Sequence, residues 1–147
     1  KELFKKIKTN RKIIVDGDEV RKYFTNQLGY TLKDRKKNSI FIQKICKYLE
    51  DKNIIVICSI LSIFRSHQMR NRKLYKKYIQ VLVETNTSTL FKRNNKGIYT
   101  KKKNVVGKDI DFPKPYKSHY VIKNFFSKKI VKELAPIAKR INEQKNK

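Results

Sequence analysis

Ile13-Ile14-Val15-Asp16-Gly17-Asp18-Glu19-Val20-Arg21 is the stretch whose reading decides the fold. Its first three residues are β-branched and apolar, the mark of a strand buried on both faces, as strands of parallel sheets are. The run stops abruptly at two carboxylates flanking a glycine. Apolar residues then return at Val20, Tyr23 and Phe24, which predicts a short helix that Gly29 breaks. A buried strand that feeds a helix through an acidic turn is an α/β signature. In such sheets ligands bind beyond the carboxyl ends of the strands.

The pattern continues outward in both directions. Upstream, Leu3, Phe4 and Ile7 have helical spacing, and Asn10 offers a stop. Downstream, Thr31 is a fair N-cap for a helix with Asp34 in its first turn and Phe41, Ile42, Ile45, Cys46 and Leu49 as its apolar stripe. Ile54-Ile55-Val56-Ile57-Cys58 is apolar at every position and is expected in the middle of a parallel sheet. Residues 66–77 are expected to be a very polar helix, and Ile79, Val81 and Val83 with Leu82 another buried strand. Thr87 is placed to cap a short helix through Leu90 and Phe91. Residues 94–119, with Gly97, Gly107, Pro113 and Pro115, are expected to be a long loop. Tyr120-Val121-Ile122 is expected to be a final short strand. Ser127 then caps a helix carrying Ile130, Val131, Leu134, Ala138 and Ile141, which Pro136 should kink. Strand alternating with helix gives the α/β class with a parallel sheet, and no linker or repeat divides residues 1–147, so one domain is expected.

Composition narrows the function classes. The chain has 147 residues, 39% of them hydrophobic, too many for a disordered chain despite a net charge of +26. No apolar run approaches the ~20 residues that span a bilayer, and no leader pattern precedes the first elements. Two cysteines build neither a disulfide framework nor a four-cysteine zinc site. A cytoplasmic location is therefore expected. The charge must attract polyanions. Its lysines, however, are scattered in short clusters (Lys5-Lys6, Lys36-Lys37, Lys101-Lys102-Lys103, Lys128-Lys129) without interleaved aromatics, and lysine, asparagine and isoleucine are abundant everywhere. The charge is read as compositional, and nucleic acid is not expected as a partner.

Four places could carry chemistry. Asp16 and Asp18 could hold a metal-bound phosphate or accept a proton from a substrate hydroxyl, or they could form a turn with Asp18 as N-cap. Arg35 and Asn38 are three residues apart, on one helix face. A guanidinium there can grip phosphate or sulfate and an amide can read a base or sugar, though a solvated charge run gives the same pattern. Leu61, Ser62 and Arg65 follow the central strand, as a site or as an ordinary cap and a surface arginine. The segment Arg93 to Tyr99 with Val105-Val106-Gly107 reads as a lid over a phosphorylated ligand or as a plain loop. Cys46 and Cys58 read as core. His67 and His119 have no partner at ligand spacing, so no metal site made of protein ligands and no Ser/His/Asp triad is assigned. No Gly-x-x-x-x-Gly-Lys-Ser/Thr loop occurs.

In their order these segments resemble one family, the adenylyl-sulfate kinases, P-loop kinases of sulfate assimilation. Asp16-Gly17-Asp18-Glu19-Val20-Arg21 is similar to D-G-D-N-V/I-R. Leu28-Gly29-Tyr30 with Asp34-Arg35 and Asn38 is similar to L-G-F followed by D-R-x-x-N. Ile60-Leu61-Ser62-Ile63-Phe64-Arg65 resembles F-I-S-P-Y-R, and Lys96-Gly97-Ile98-Tyr99 resembles K-G-L-Y. Val105-Val106-Gly107 through Pro115 is similar to the segment after the lid. The resemblance covers residues 1 to about 125.

The resemblance implies transfer of the γ-phosphate of ATP to the 3′-hydroxyl of adenylyl sulfate, giving PAPS, with Mg²⁺. It implies that Arg21, Tyr30, Arg35 and Asn38 hold adenylyl sulfate, Tyr30 standing for a phenylalanine ring against the adenine. Asp18, Leu61, Ser62, Arg65, Lys96, Val105 and Val106 would complete that pocket. Asp16 would sit near the magnesium and the attacking hydroxyl, and Ser62 matches a serine described as a phosphoserine intermediate. A homodimer and a fused or partner sulfurylase belong to the same implication. Ile63 replaces the family's proline, Glu19 its asparagine, Asp111 a common proline and Asn94 the aspartate of the lid. The family's first strand and phosphate loop lie just before the helix that ends near Ile7, so residues 1–147 alone are expected not to turn over ATP. Two other readings stand beside the kinase: a non-catalytic relative that binds adenylyl sulfate or nucleotide, and a basic nucleic-acid-binding domain.

Overall fold

The computed structural model describes residues 1–23, 28–92, 97, 103–115, 117–124 and 130–144. Its elements, in order, are α1 (Glu2–Lys6), β1 (Lys12–Asp16), α2 (Gly17–Lys22), α3 (Leu32–Asp51), β2 (Ile55–Ser59), α4 (Arg65–Leu74), β3 (Val81–Glu84), α5 (Thr87–Lys92), β4 (Tyr120–Lys123), α6 (Ile130–Glu133) and α7 (Ala135–Glu143). The α/β alternation read from the hydrophobic pattern is the observed one. All strand pairing is parallel among the described residues: β1 with β2, Val15 opposite Cys58 and Asp16 opposite Ser59, and β3 with β4, Leu82 opposite Val121.

The strands form two two-stranded sheets rather than one continuous sheet. The expectation of strands buried on both faces therefore fails. Ile13 is 41% exposed and Val83 54% exposed, because the sheet face each side chain points to is left partly uncovered by the described residues. Cys58, read as core, is likewise exposed, whereas Cys46 is buried. The interior gathers between β1 and α3, where Val15, Ile42 and Cys46 are buried and Val20, Ile45, Leu49, Val56, Ile60 and Tyr75 pack against them. A second contact joins the two ends of the chain. Ile7 and Ile137 are both buried, the Lys8 amide donates to Asn142 Oδ1 at 2.9 Å, and Asn142 Nδ2 donates to the Lys6 carbonyl at 3.2 Å.

Helix ends show where polar side chains act. Thr31 caps α3 by accepting from the Asp34 amide, as its position predicted. The cap of α2 is Asp16 and not Asp18: Asp16 Oδ1 accepts from the amides of Asp18 (2.9 Å) and Glu19 (3.3 Å). Asp16 is the last extended residue before the helix, the geometry a cap requires. Asn86 Oδ1 accepts from the Thr89 amide at the start of α5, so Thr87 is the first helical residue rather than the cap. Ser62 is no cap either, since α4 follows Phe64, which makes no side-chain cap bond. The bend expected at Pro136 is a break at Leu134 between α6 and α7, with proline in the first turn of the second helix, where its missing N–H costs nothing. Ser127 lies outside the described residues, as do Phe24, Lys96 and most of the expected lid.

Candidate functional site

The carboxyl ends of β1 and β2 lie side by side, because Asp16 is paired in register with Ser59. Gly17 allows the closeness. A methyl group built on it would stand 2.9 Å from Ile60 Cγ2 and 3.3 Å from the Ser59 carbonyl oxygen. The Asp16-Gly17 turn is thus pressed onto the chain leaving β2, which continues to Leu61 and Ser62. Asp16 spends one oxygen on the helix cap, and Oδ2 has no hydrogen-bond partner among the described residues.

α3 brings the next groups. Asn38 is buried and donates from Nδ2 to the Gly17 carbonyl at 3.3 Å, tying α3 to the same turn. Its Oδ1 is buried without a partner. One turn earlier, Arg35 Nε donates to the Tyr30 carbonyl and Nη2 to the Asn104 carbonyl, both at 2.9 Å. Arg21, from the last turn of α2, donates to the Gly29 carbonyl. Both guanidinium groups flank the Tyr30 ring, Arg21 at 4.8 Å and Arg35 at 5.5 Å from its centre. Arg21 Nε is a buried donor without a partner. Partial burial, and then the neighbouring Arg21, push Arg35 below its ordinary pKa, while Tyr30 and Asp18 act in the opposite direction. Two like charges beside one ring are held there by backbone carbonyls, with Asp18 and Asp34 as the neighbouring carboxylates.

Of the residues singled out from the sequence, the structure brings Arg21, Tyr30, Arg35, Asn38, Asp16 and Asp18 into one neighbourhood, with Val105 adjoining through Asn104. Val105 and Val106 are buried in a tight turn in which the Val105 amide donates to Asp109 Oδ2 at 2.9 Å. Gly107 there has φ +84°, a backbone state that favours glycine. Leu61 is exposed beyond β2. Arg65 is exposed at the start of α4. Ser62 is anchored from elsewhere: Gln68, 2% exposed, donates from Nε2 to the Ser62 carbonyl at 2.9 Å. Gln68 and Asn104 were missed in the sequence. Asn104 adopts φ 60°, which asparagine tolerates better than most residues, but nothing local marks its carbonyl as the acceptor of a distant arginine. No group of three or more His, Cys, Asp and Glu able to hold a metal ion occurs among the described residues, and no described helix is long and apolar enough to cross a membrane.

An exposed aromatic ring approached by two guanidiniums, on elements that adjoin the carboxyl ends of parallel strands, suits a flat ligand with several negative charges, as a nucleotide is. Comparison with known proteins shows the family. The family profile described as adenylylsulphate kinase matches residues 1–123. A cytidine diphosphoramidate kinase of Campylobacter jejuni is 32% identical over 146 residues, covering 95% of this chain and 85% of that relative. An adenylyl-sulfate kinase of Clostridium kluyveri is 35% identical over 97 residues, 65% of this chain and 49% of that enzyme. Among solved structures, the APS kinase of Mycobacterium tuberculosis, in complex with AMPPNP and APS, superimposes with a TM-score of 0.76 at 22% identity, covering 92% of this chain and 80% of that one. The chain belongs to the adenylylsulphate kinase family and has the fold of those kinases. It spans most of the diphosphoramidate kinase but about half of the adenylyl-sulfate kinase it matches.

Proposed function

We propose that the protein transfers the γ-phosphoryl group of ATP to a ribose hydroxyl of a small acceptor nucleotide whose own phosphate carries a second group. The observation that carries this reading is the convergence of Arg21 and Arg35 on the Tyr30 ring, with an unpartnered buried donor on Arg21 and an unpartnered buried acceptor on Asn38. The half-exposed Tyr30 ring marks where the base would lie. The guanidiniums offer paired N–H donors to phosphate-type oxygens. Asn38 Oδ1 offers an acceptor to a ribose hydroxyl or a base amino group. Asp16, with Oδ2 open, is an acid placed to accept the proton of the attacking hydroxyl. The same oxygen suits Mg²⁺, which is commonly held by one or two carboxylates together with substrate phosphates. When bound, Mg²⁺ neutralises charge on the transferring group. Leu61, Ser62, Val105, Val106 and Lys96 complete the acceptor pocket in this reading.

Two acceptors are put forward. Adenylyl sulfate, with its 3′-hydroxyl phosphorylated to give PAPS, follows from the family profile and the motifs that match it. Cytidine diphosphoramidate is supported by a different observation, an alignment with the kinase of that name that runs almost the full length of both chains. Both acceptors carry phosphate-type oxygens for the two arginines, and they differ in base and in the terminal group. The test is product formation by the complete protein with radiolabelled ATP and each acceptor in turn. One acceptor should be turned over at least tenfold better than the other. Binding of either acceptor without transfer would support the non-catalytic reading instead, and absence of binding to both would overturn the proposal.

A further inference from the structure

The sequence scatters its lysines, but the fold gathers some of them. On α3, Lys36 and Lys44 are exposed, and on α4, Arg70 and Lys73 are exposed. None of these four has a hydrogen bond or ion pair among the described residues. The acids of α3 sit only at its ends, Asp34 in the first turn and Glu50 and Asp51 in the last, and the latter two are engaged by Lys47. α4 contains no acid at all. The two helices meet through a buried polar seam: Gln43 Nε2 donates to Asn71 Oδ1 at 2.7 Å, and Ser39 Oγ lies 2.9 Å from His67 Nδ1. Along it runs an open groove of about 200 Å³ lined by Ile40, Gln43, Lys44, Lys47, Arg70 and Leu74. Lys36 and Arg70 approach His67 closely enough that, after burial, their charges help hold its pKa below the ordinary value. Positive charge therefore converges on this groove from both helices.

We propose that the face formed by α3 and α4 binds the phosphate backbone of a nucleic acid. Lys36 and Lys44 are eight residues apart on one helix, about 12 Å along its axis at 1.5 Å per residue, a span of several phosphates at about 3.4 Å of rise per strand charge. Arg70 lines the groove from α4, with Lys73 three residues further along that helix. The apolar lining, Ile40 and Leu74, lies in the groove rather than projecting from it. That favours a charged strand laid along the groove over insertion into a lipid surface. The residues lining the groove are none of those placed in the Tyr30 cluster.

The test is fluorescence anisotropy of a labelled 20-nucleotide single-stranded RNA of mixed sequence, titrated with the complete protein from about 50 to 200 mM salt. The triple variant Lys36→Glu/Lys44→Glu/Arg70→Glu is set against Lys108→Glu/Lys123→Glu/Lys132→Glu, which changes the net charge by the same amount on other surfaces. The face variant should lose at least tenfold more affinity than the control. Its slope of log affinity against log salt should fall by about 2, at roughly 0.7 per lost phosphate contact on a single strand. Equal losses in the two triples would show attraction by net charge alone and overturn the proposal. So would no binding by the unaltered protein at 50 mM, or losses confined to phosphatidylserine vesicles. If circular dichroism shows the face variant unfolded, the same comparison is read from Lys36→Ala/Lys44→Ala/Arg70→Ala.

Discussion

Replacing Gly17 by alanine tests the joint on which the site is built. The added methyl would meet Ile60 Cγ2 at 2.9 Å, Ser59 O at 3.3 Å and Ile42 Cδ1 at 3.5 Å. The first contact is inside the separation that carbon atoms keep, and the second is to backbone, so the turn or the chain beyond β2 must shift. Overpacking of this kind costs about 1–3 kcal/mol. Alanine's better helix propensity returns up to ~1 kcal/mol in a helix interior and less in a first turn, where Gly17 sits. The net expectation is a loss of about 1–2 kcal/mol, read as a shift of the urea midpoint at unchanged slope. The source of the strain is checked by repeating the substitution in an Ile60→Ala background, which removes Cγ2. There the loss should shrink to about 0.5 kcal/mol, a coupling near 1 kcal/mol between residues in contact. The Asn38 side chain donates to the Gly17 carbonyl, so Gly17→Ala should also weaken acceptor binding. A neutral Gly17→Ala, or the same loss with and without Ile60, would refute the close-approach argument.

Other predictions bear on the same region. Arg35→Lys keeps the charge but cannot reach the Tyr30 and Asn104 carbonyls together; acceptor affinity measured calorimetrically should fall at least tenfold, about 1.4 kcal/mol, with little change in melting temperature. Thr31→Ala removes the cap of α3 at a cost of about 1 kcal/mol. Because the Thr31 hydrogen bond is the largest influence holding the Asp34 carboxyl below its usual range, that carboxyl should titrate higher by NMR in the variant. His67 is buried and held below its ordinary pKa, first by burial and then by Lys36 and Arg70. Its neutral form is therefore favoured by folding: its stabilisation is present above about pH 6.5 and is lost as pH falls through the lowered folded value. His119, lowered mainly by burial and then by Arg72 and Arg140, acts in the same direction. His67→Gln should flatten, without abolishing, the fall in urea midpoint between pH 7.5 and 5.5. Asp16→Asn retains an oxygen that can cap α2, so stability should change by less than about 1 kcal/mol while phosphoryl transfer is lost; Asp16→Ala should lose both.

Much of this architecture is legible in the sequence because short-range rules govern it. Ile13-Ile14-Val15 gives β1 through β-branching, Thr31 starts α3 because its hydroxyl lies three residues before an amide that needs an acceptor, and the apolar stripe from Ile42 to Leu49 turns α3 onto β1. The errors arise where a local signal has two solutions that only packing separates. Asp16 and Asp18 both suit a cap, and the extended backbone of Asp16 decides between them. An unbroken apolar run reads as a strand covered on both sides, yet Ile13 and Val83 are open because coverage depends on neighbours that the run itself does not encode. In the site, Arg35 and Asn38 are legible as residue types at helical spacing, and Arg21 through the family motif it matches. The carbonyls that aim them are not. Gly29, Tyr30 and Asn104 aim them with backbone oxygens, which every residue has, and the Arg35–Asn104 pair is separated by 69 positions.

The geometry of the Asp16-Gly17 junction shows why fold and site are hard to alter separately. Asp16 ends β1, caps α2 with one oxygen and leaves the other open. Gly17 begins α2, lets the turn touch Ile60, and accepts from Asn38 through its carbonyl. One dipeptide thus sets the direction of the helix bearing Arg21 and fixes the distance between the two strand ends. It also locks α3, and with it Arg35, against the turn. A bulkier residue at position 17 moves all three, whereas a change at Tyr30 moves none, because that ring is 44% exposed and is held by its neighbours' cations rather than by the core. Divergence in acceptor choice within this fold is therefore expected at position 30 and in the segment around residues 104–106, which meet the ligand without setting the frame. The junction itself leaves almost no room for substitution.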